Sequence, residues 1–315
     1  MLATETTIDF KGQPCINAVL KQVQHQEAHY HNNAIEMIFC LKGSISMRSS
    51  HRHVTLHEGD VFSIDPGDIH CIYSDTDNIV IFIYINIYES LYPKETIYNC
   101  FFACETQYMS TLQAKPMYQV KDILLSVALC LFTGNTLGNF SLNAISDKLV
   151  DLLIKHFDWL SFIWDPMGEN TLFKQRIDRI LDYCLKNYSQ KITLSQLAEQ
   201  EHINSNYFSA FLKKTSFDNF SSMLNFIRCD AAEHLLLTTN RNVIEISELC
   251  GFSDPKYFYK HFKDWWHISP AKLRKWYLDY SRTPAKEYVF SNDESFSIIK
   301  DYMYKYHLHK TFSLL

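Results

Sequence analysis

Two hydrophobic periods divide the chain. Up to about residue 92, apolar and polar positions alternate over short runs bounded by turn residues: "AIEMIFCLKG", "SISMRSSHRHVTL", "DVFSIDPGD", "IHCIYSD" and "NIVIFIYINIY". Runs of this kind predict β-strands, and several at close spacing with no helical period between them predict a sandwich or small barrel. From about residue 118 the period lengthens to that of a helix. "YQVKDILLSVALCLF" and "LNAISDKLVDLLIKHFDWLSFI" repeat apolar residues at three and four. The second carries Leu142, Ile145, Leu149, Leu152 and His156 on one stripe, read as intramolecular core. "WDPMGENT" (164–171) joins Pro to Gly and reads as a linker. Short amphipathic helices follow, with Thr193 as the N-cap of one and Ser269 capping another that opens on Pro270. The predicted class is α+β with two domains. The front is a β-barrel followed by helices, and the back is an all-α module.

The back half repeats itself. With Leu197-Ala198 laid on Ile246-Ser247, Tyr207-Phe208 falls on Tyr257-Phe258 and Lys213 on Lys263, to within one residue of spacing. Each copy reads as a small helix, a tight turn and a second helix. That is a helix-turn-helix written twice and joined by the long helix "DNFSSMLNFIRCDAAEHLLLTT". In the second copy Lys256, Lys260 and Lys263 share a face at i, i+4, i+7. Tyr207, Phe208, Phe211, Phe258 and Phe262 are expected in the core.

This stretch resembles the C-terminal module of the AraC/XylS family of transcription regulators, over roughly residues 172–278. The residues that carry the likeness are Ile246-Ser247, Gly251-Phe252-Ser253-Asp254, Tyr257-Phe258, Phe262-Lys263, Ser269-Pro270 and the Arg228-x-x-x-Ala232 spacing. Ala210, Ser216 and His267 depart from the family pattern, which often has Arg at the first place and Gly at the other two. The resemblance implies two recognition helices entering successive major grooves on one face of promoter DNA. On the first helix the outward residues would be Ser205, Asn206, Ser209, Ala210 and Lys213, with Asn206 suited to an adenine edge. On the second they would be Pro255, Lys256, Tyr259, Lys260 and Lys263. There Lys256 suits a guanine edge, and Lys260 and Lys263 suit phosphates. It also implies a sensor domain at 1–117, a dimerisation or relay segment at 118–163, the linker at 164–171, the DNA-binding domain at 172–280 and an extension at 281–315. A homodimer that activates transcription through RNA polymerase, in response to a small-molecule effector, is the expected function. No enzyme activity is expected.

Charge agrees with this division. The whole chain carries a formal net charge of -5. Residues 1–171 hold 10 Lys and Arg against 19 Asp and Glu, while residues 172–280 hold 15 against 12. Only the back half is therefore suited to a polyanion. Cysteines number 9 without a CxxC pair, which points to neither a zinc ribbon nor a disulfide framework. The opening "MLATETTIDFKGQPC" lacks the pattern of a secretory signal, and "IVIFIYINIY" is too short to span a bilayer. A cytoplasmic location without membrane contact is expected.

"HYHNNAIEMIFCLKG" gives His29-x-His31 with Glu36 beyond it, and "GDVFSIDPGDIH" ends on His70. The pair resembles the two-part signature of the cupin barrel, with Asp65 and Ser74 as departures from it. In metal-binding cupins His29, His31, Glu36 and His70 would be the four ligands, a set that suits Zn, Fe, Mn or Ni. Strand alternation puts His29 and His31 on one face. The favoured reading is an effector pocket of His29, His31, Glu36, Phe39, Phe62, Ile64, His70, Phe82 and Tyr84, requiring no cofactor. Its alternative is a divalent metal on the four ligands, making a metal sensor or a metal-dependent cupin enzyme fused to a DNA-binding module. "SSHRHV", with His51, Arg52 and His53, reads as an exposed turn.

Overall fold

The computed structural model describes residues 2–10, 12, 15–134, 141–159, 171–212, 217 and 219–306, without the side chains of 171–174 and 211–212. By its contacts the chain divides into two compact units. A barrel unit comprises Glu5–Arg48, His53–Asp158 and Pro284–Leu315, and a helical unit comprises Met1–Thr4, Ser49–Arg52 and Trp159–Thr283.

In the barrel unit the strands are β1 (Thr4–Glu5), β2 (Ile16–Tyr30), β3 (Ala34–Lys42), β4 (Ser44–Ser49), β5 (Arg52–His57), β6 (Val61–Ile64), β7 (His70–Tyr73) and β8 (Ile79–Asn86). They run in the order β5-β4-β7-β2-β8-β3-β6 and form a nearly closed antiparallel barrel. The turn into β4 needs Gly43, at φ +71, because a Cβ there would stand 2.0 Å from the Asp77 carbonyl oxygen. Helices α1 (Lys94–Tyr98), α2 (Ala114–Thr133) and α3 (Leu142–His156) follow.

Strand β3 is buried on both faces as far as Leu41, and its alternation sorts the core into two clusters. Ala34, Ile38 and Cys40 face the barrel interior with Ile45, Met47, Phe62, Ile64, Phe82 and Tyr84. Ile35, Met37, Phe39 and Leu41 face a helix layer with Ile81, Ile83, Val120, Leu124 and Leu149. Phe39 therefore does not line the pocket proposed from sequence. It is odd in a strand whose even members point inward, and its ring meets Tyr302 at 5.8 Å on the helix side. The stripe Ile145, Leu149 and Leu152 is buried in that same layer, as expected of an intramolecular core. The stretch Thr111–Thr133 is long and apolar enough to cross a membrane by composition, but 67% of its apolar 18-residue window is buried inside the protein. Of the His-rich stretch only His53 is exposed, bonding the Tyr73 hydroxyl at 2.9 Å. His51 and Arg52 are half-buried, with the His51 ring 5.5 Å from Phe226 and 5.8 Å from Trp266, so the exposed turn expected from sequence does not hold for them.

The extension joins the barrel unit from Pro284 on. Strand β9 (Lys286–Val289) pairs with β2 at Lys21, Gln22 and Val23. Phe290 then donates to the Leu20 carbonyl at 3.0 Å, and Lys21 pairs with Glu287 at 2.9 Å. A helix over Asn292–Lys305 seals the outer cluster with Ile299 and Met303. The barrel unit is thus completed by chain lying on the far side of the helical unit in sequence.

The helical unit contains α4 (Thr171–Asn187), α5 (Leu194–Gln200), α6 (Ser205–Leu212), α7 (Phe220–Thr238), α8 (Val243–Leu249), α9 (Pro255–Trp266) and α10 (Pro270–Tyr280); the helix over Asn292–Lys305 is α11. Thr193 and Asn242 each close a capping box, with Gln196 and Glu245. Ser269 has cap geometry without a side-chain bond, and Pro270 opens α10. The linker expected at 164–171 lies outside the described residues up to Thr171, where α4 begins.

Ile299 is fully buried. Ile299→Ala should therefore destabilise the barrel unit by about 2–5 kcal/mol. In urea the transition followed by β-sheet circular dichroism should move to lower denaturant; an unmoved midpoint would show that α11 contributes no core.

Candidate nucleic-acid interface and candidate metal centre

The two helix-turn-helix copies share backbone detail. In the first turn Ile203 donates to Ala198 at 2.9 Å, and in the second Phe252 donates to Ser247 at 3.1 Å. Both turns pass through a left-handed residue, His202 at φ 51 and Gly251 at φ 82. Only Gly fits the second, because a Cβ would stand 2.7 Å from the Ser189 carbonyl oxygen. Each recognition helix starts on a capping side chain. Asn204 accepts from Asn206 N at 2.7 Å and Asp254 from Lys256 N at 2.8 Å.

A second paired device escaped the sequence reading. Arg228 on α7 donates through Nε to Tyr188 O at 2.8 Å and through Nη2 to Gln190 O at 2.9 Å. Arg274 on α10 donates through Nε to Leu236 O at 2.9 Å and through Nη1 to Arg241 O at 2.7 Å. Each guanidinium ties the helix after a helix-turn-helix to the loop before it, closing that copy. Arg228 was visible in sequence only as part of a family spacing. The signal for Arg274 was its position one repeat further on.

The recognition helices sort their side chains clearly. In α9, Phe258, Phe262 and Trp266 are buried. Pro255 and Tyr259 precede Phe262 and Trp266 by seven residues, so they run along the edge of that buried stripe. Pro255 is half-buried and Tyr259 is 39% exposed. Lys256, Lys260 and Lys263 are exposed, as the sequence predicts. In α6, Phe208 is buried, Asn206 and Ala210 are exposed, and Ser205 and Ser209 are half-buried. Lys213 and the Phe211 side chain lie outside the described residues. Tyr207, expected in the core, is instead 54% exposed, and its repeat partner Tyr257 is 49% exposed. Each stands one residue before the buried Phe, about a quarter-turn from it, which carries it off the packed face.

In the barrel unit, His29, His31, Glu36 and His70 are all buried, and one donor atom from each lies within 4.8 Å of the others. The positioning is local: His29 on β2 pairs in register with His70 on β7, while Glu36 comes from the inward set of β3. Each imidazole is turned by a backbone carbonyl at Nδ1. The partners are Glu27 O for His29 at 2.7 Å, Thr6 O for His31 at 2.5 Å and Asp68 O for His70 at 2.9 Å. With Nδ1–H donating, Nε2 carries a lone pair. The Nε2 atoms of His31 and His70 stand 3.3 and 3.0 Å from Glu36 Oε2 without hydrogen-bond geometry. Lone pairs facing a carboxylate need a cation between them, either a proton or a metal.

The charges follow from this crowding. Burial, aided by the neighbouring His70, pulls His29 down to about 3, so it is neutral at pH 7. Burial alone would raise Glu36, but His70 and His31 outweigh it and hold the carboxyl well below its usual range. Burial opposes charge on His70 too, yet Glu36 outweighs it and raises that imidazole. Tyr84 completes the cluster, its ring 5.5 Å from that of His31. Burial and the Glu36 charge keep its phenol protonated. The set is therefore three imidazoles aimed by carbonyls at one carboxylate, which fits a divalent transition metal. Phe62, Ile64 and Phe82 belong to the same interior cluster as Tyr84.

Comparison with known proteins bears on both units. A helix-turn-helix domain family matches residues 197–275, and a cupin domain family matches residues 19–86. An uncharacterised HTH-type transcriptional regulator of Staphylococcus aureus (strain COL) is 21% identical over 242 residues, 77% of this chain and 31% of its own length. The chain thus spans about a third of such relatives. The Msm operon regulatory protein of Streptococcus mutans is 23% identical over 245 residues, 75% of this chain and 82% of its own. Among solved structures, the DNA-binding domain of AdpA in complex with a target DNA is 22% identical with a TM-score of 0.32, over 34% of this chain and 96% of that one. ToxT of Vibrio cholerae is 12% identical with a TM-score of 0.41, over 82% of this chain and 97% of that one.

Two substitutions test the helical unit. Phe258→Ala removes a fully buried ring and should cost about 3–5 kcal/mol in chemical denaturation. His267 ends α9 at φ 55. His267→Gly should relieve about 1–2 kcal/mol of left-handed strain, offset by the larger chain entropy of Gly, and so raise the Tm by a few degrees. A lowered Tm would mean that the His267 side chain holds that end in place.

Proposed function

Because this chain belongs to the AraC/XylS family of transcription regulators, with a cupin domain in front and a helix-turn-helix region behind, we propose that it binds promoter DNA with α6 and α9 in successive major grooves. The observation that supports this most directly is the matched outward faces. Asn206 and Ala210 on α6 stand where Lys256 and Lys260 stand on α9, each exposed beyond a buried Phe. Asn206 suits an adenine edge, Ala210 a thymine methyl and Lys256 a guanine edge. Lys260 and Lys263 supply phosphate contacts. The rest of the reading rests on the family: a cytoplasmic homodimer that activates transcription through RNA polymerase when an effector occupies the barrel. Coupling then requires the effector to favour one arrangement of the two units over another.

A specific observation favours a metal as part of that effector site. Three imidazoles fixed by carbonyl bonds and converging on Glu36 would hold a divalent ion, and a bound metal offers a coordination position to an oxygen-bearing ligand. The front domain then acts as a metal-dependent sensor. The relatives with informative names are regulators, which supports this over a metal-dependent enzyme.

The DNA reading expects Lys256→Ala to lose about 1–3 kcal/mol and relax specificity at one base pair, whereas Lys263→Ala weakens all sequences and lowers the salt slope by about one. Equilibrium binding at several salt concentrations separates the two, and unchanged slopes would remove Lys263 from the phosphates. For the barrel, elemental analysis of protein purified without chelating resin should find one metal per chain, lost in Glu36→Gln. Metal-free wild-type protein would leave His70 and Glu36 as a plain buried ion pair.

A further inference from the structure

Tyr207 and Tyr257 occupy the same place in two helices, and burial does not account for either. Each is the third residue of its recognition helix, follows an exposed polar residue and precedes a buried Phe. A large aromatic side chain about half-exposed at both repeat-equivalent positions marks a contact surface better than a packing accident. Helical geometry says which surface. Residues three before and three after a given position flank it at about 60° on opposite sides. Around Lys260 these are Tyr257 and Lys263; around Ala210 in the sequence they are Tyr207 and Lys213. Where the central position points into the groove, its two flanks face the walls, and those walls are the two phosphate backbones, which the long Lys260 side chain also reaches from there. Around Lys260 one flank is cationic and the other is a phenol, and the sequence repeats the pair as Lys213 and Tyr207. Lys256 keeps its ammonium 5.0 Å from the Tyr257 ring centroid, so charge and ring share one patch.

We propose that Tyr207 and Tyr257 are equivalent phosphate-contacting residues. Each hydroxyl donates a hydrogen bond to a backbone phosphate, that of Tyr257 on the strand opposite the one met by Lys263, and each ring lies along the adjoining deoxyribose. The inference rests on the DNA-binding reading above and adds the second wall of each groove to it. A neutral donor at this place positions the helix without adding to counterion release, so its signature differs from that of a lysine.

The test uses the full chain and a duplex that the wild type enriches from a randomised library. Tyr207→Phe and Tyr257→Phe remove only the hydroxyl from exposed side chains, and a wild-type Tm confirms that each variant folds. Each should weaken binding about three- to tenfold with an unchanged salt slope. A methylphosphonate at the contacted step should weaken the wild type but leave the matching Phe variant with little further loss. Phe variants that bind this duplex as tightly as the wild type overturn the proposal while leaving the DNA-binding reading intact. A wild-type chain that enriches no duplex overturns both.

Discussion

The orientation of both recognition helices depends on one repeated interaction, a guanidinium donating to backbone carbonyls of a loop one repeat upstream. Arg228 holds the loop at Tyr188 and Gln190, and Arg274 holds the last turn of α7 at Leu236 and the loop after it at Arg241. A loop carbonyl turned away from helix or sheet needs a donor, and Arg supplies several in a fixed plane. The arrangement also explains Gly251. The loop that Arg228 draws in passes so close to the second turn that no Cβ fits there. Arg228, whose helix joins the two copies, lies over the Phe252 ring beside that turn at 5.7 Å. One residue of the connecting helix therefore contacts both copies, at the loop before the first and beside the turn of the second.

The barrel applies the same logic to its own polar centre. Carbonyls of residues 6, 27 and 68 fix three imidazoles at Nδ1 and leave their other nitrogens to converge. The apolar residues of β3 then separate this centre from the helix layer. Even positions carry Glu36 inward, while odd positions bind α2, α3 and the returning α11 outward. A one-residue slip of β3 would bury Phe39 in the barrel and turn Glu36 into the helix layer, so the outer packing enforces the register of the inner site. The closing segment after residue 280 is thus tied to the site through the sheet.

Much of this was legible from local pattern. The period-two and period-3.6 regions, the duplicated helix-turn-helix, the Thr193 and Ser269 caps and the four-residue His/Glu set all depend on short spacings that the chain states directly. Three features were not. Phe39 needed the phase of β3, which an almost unbroken apolar strand does not reveal, because both of its faces are buried. Tyr207 is expected in the core as the aromatic neighbour of a Phe, though one step along a helix turns a side chain off the packed face, as at its repeat partner Tyr257. The docking of β9 and α11 on β2 and α2 joins residues far apart in sequence, and no local signal announces such a pairing.

The two recognition faces are not equal. The described face of α6 is neutral, offering Asn206, Tyr207 and Ala210, while α9 offers Lys256, Lys260 and Lys263 with Asp264 as the opposing charge. On the DNA-binding reading proposed above, counterion release scales with the cations brought to phosphate, so α9 would supply the larger part of the salt-sensitive attraction and α6 would discriminate by shape and hydrogen bonding. Ala210, which departs from the arginine the family often carries, fits this division. Its methyl can meet a thymine methyl where a longer cation would seek guanine. The helix richest in lysine is also the one preceded by the turn that Gly251 fixes and Arg228 braces, so its cationic face is carried by closely packed backbone.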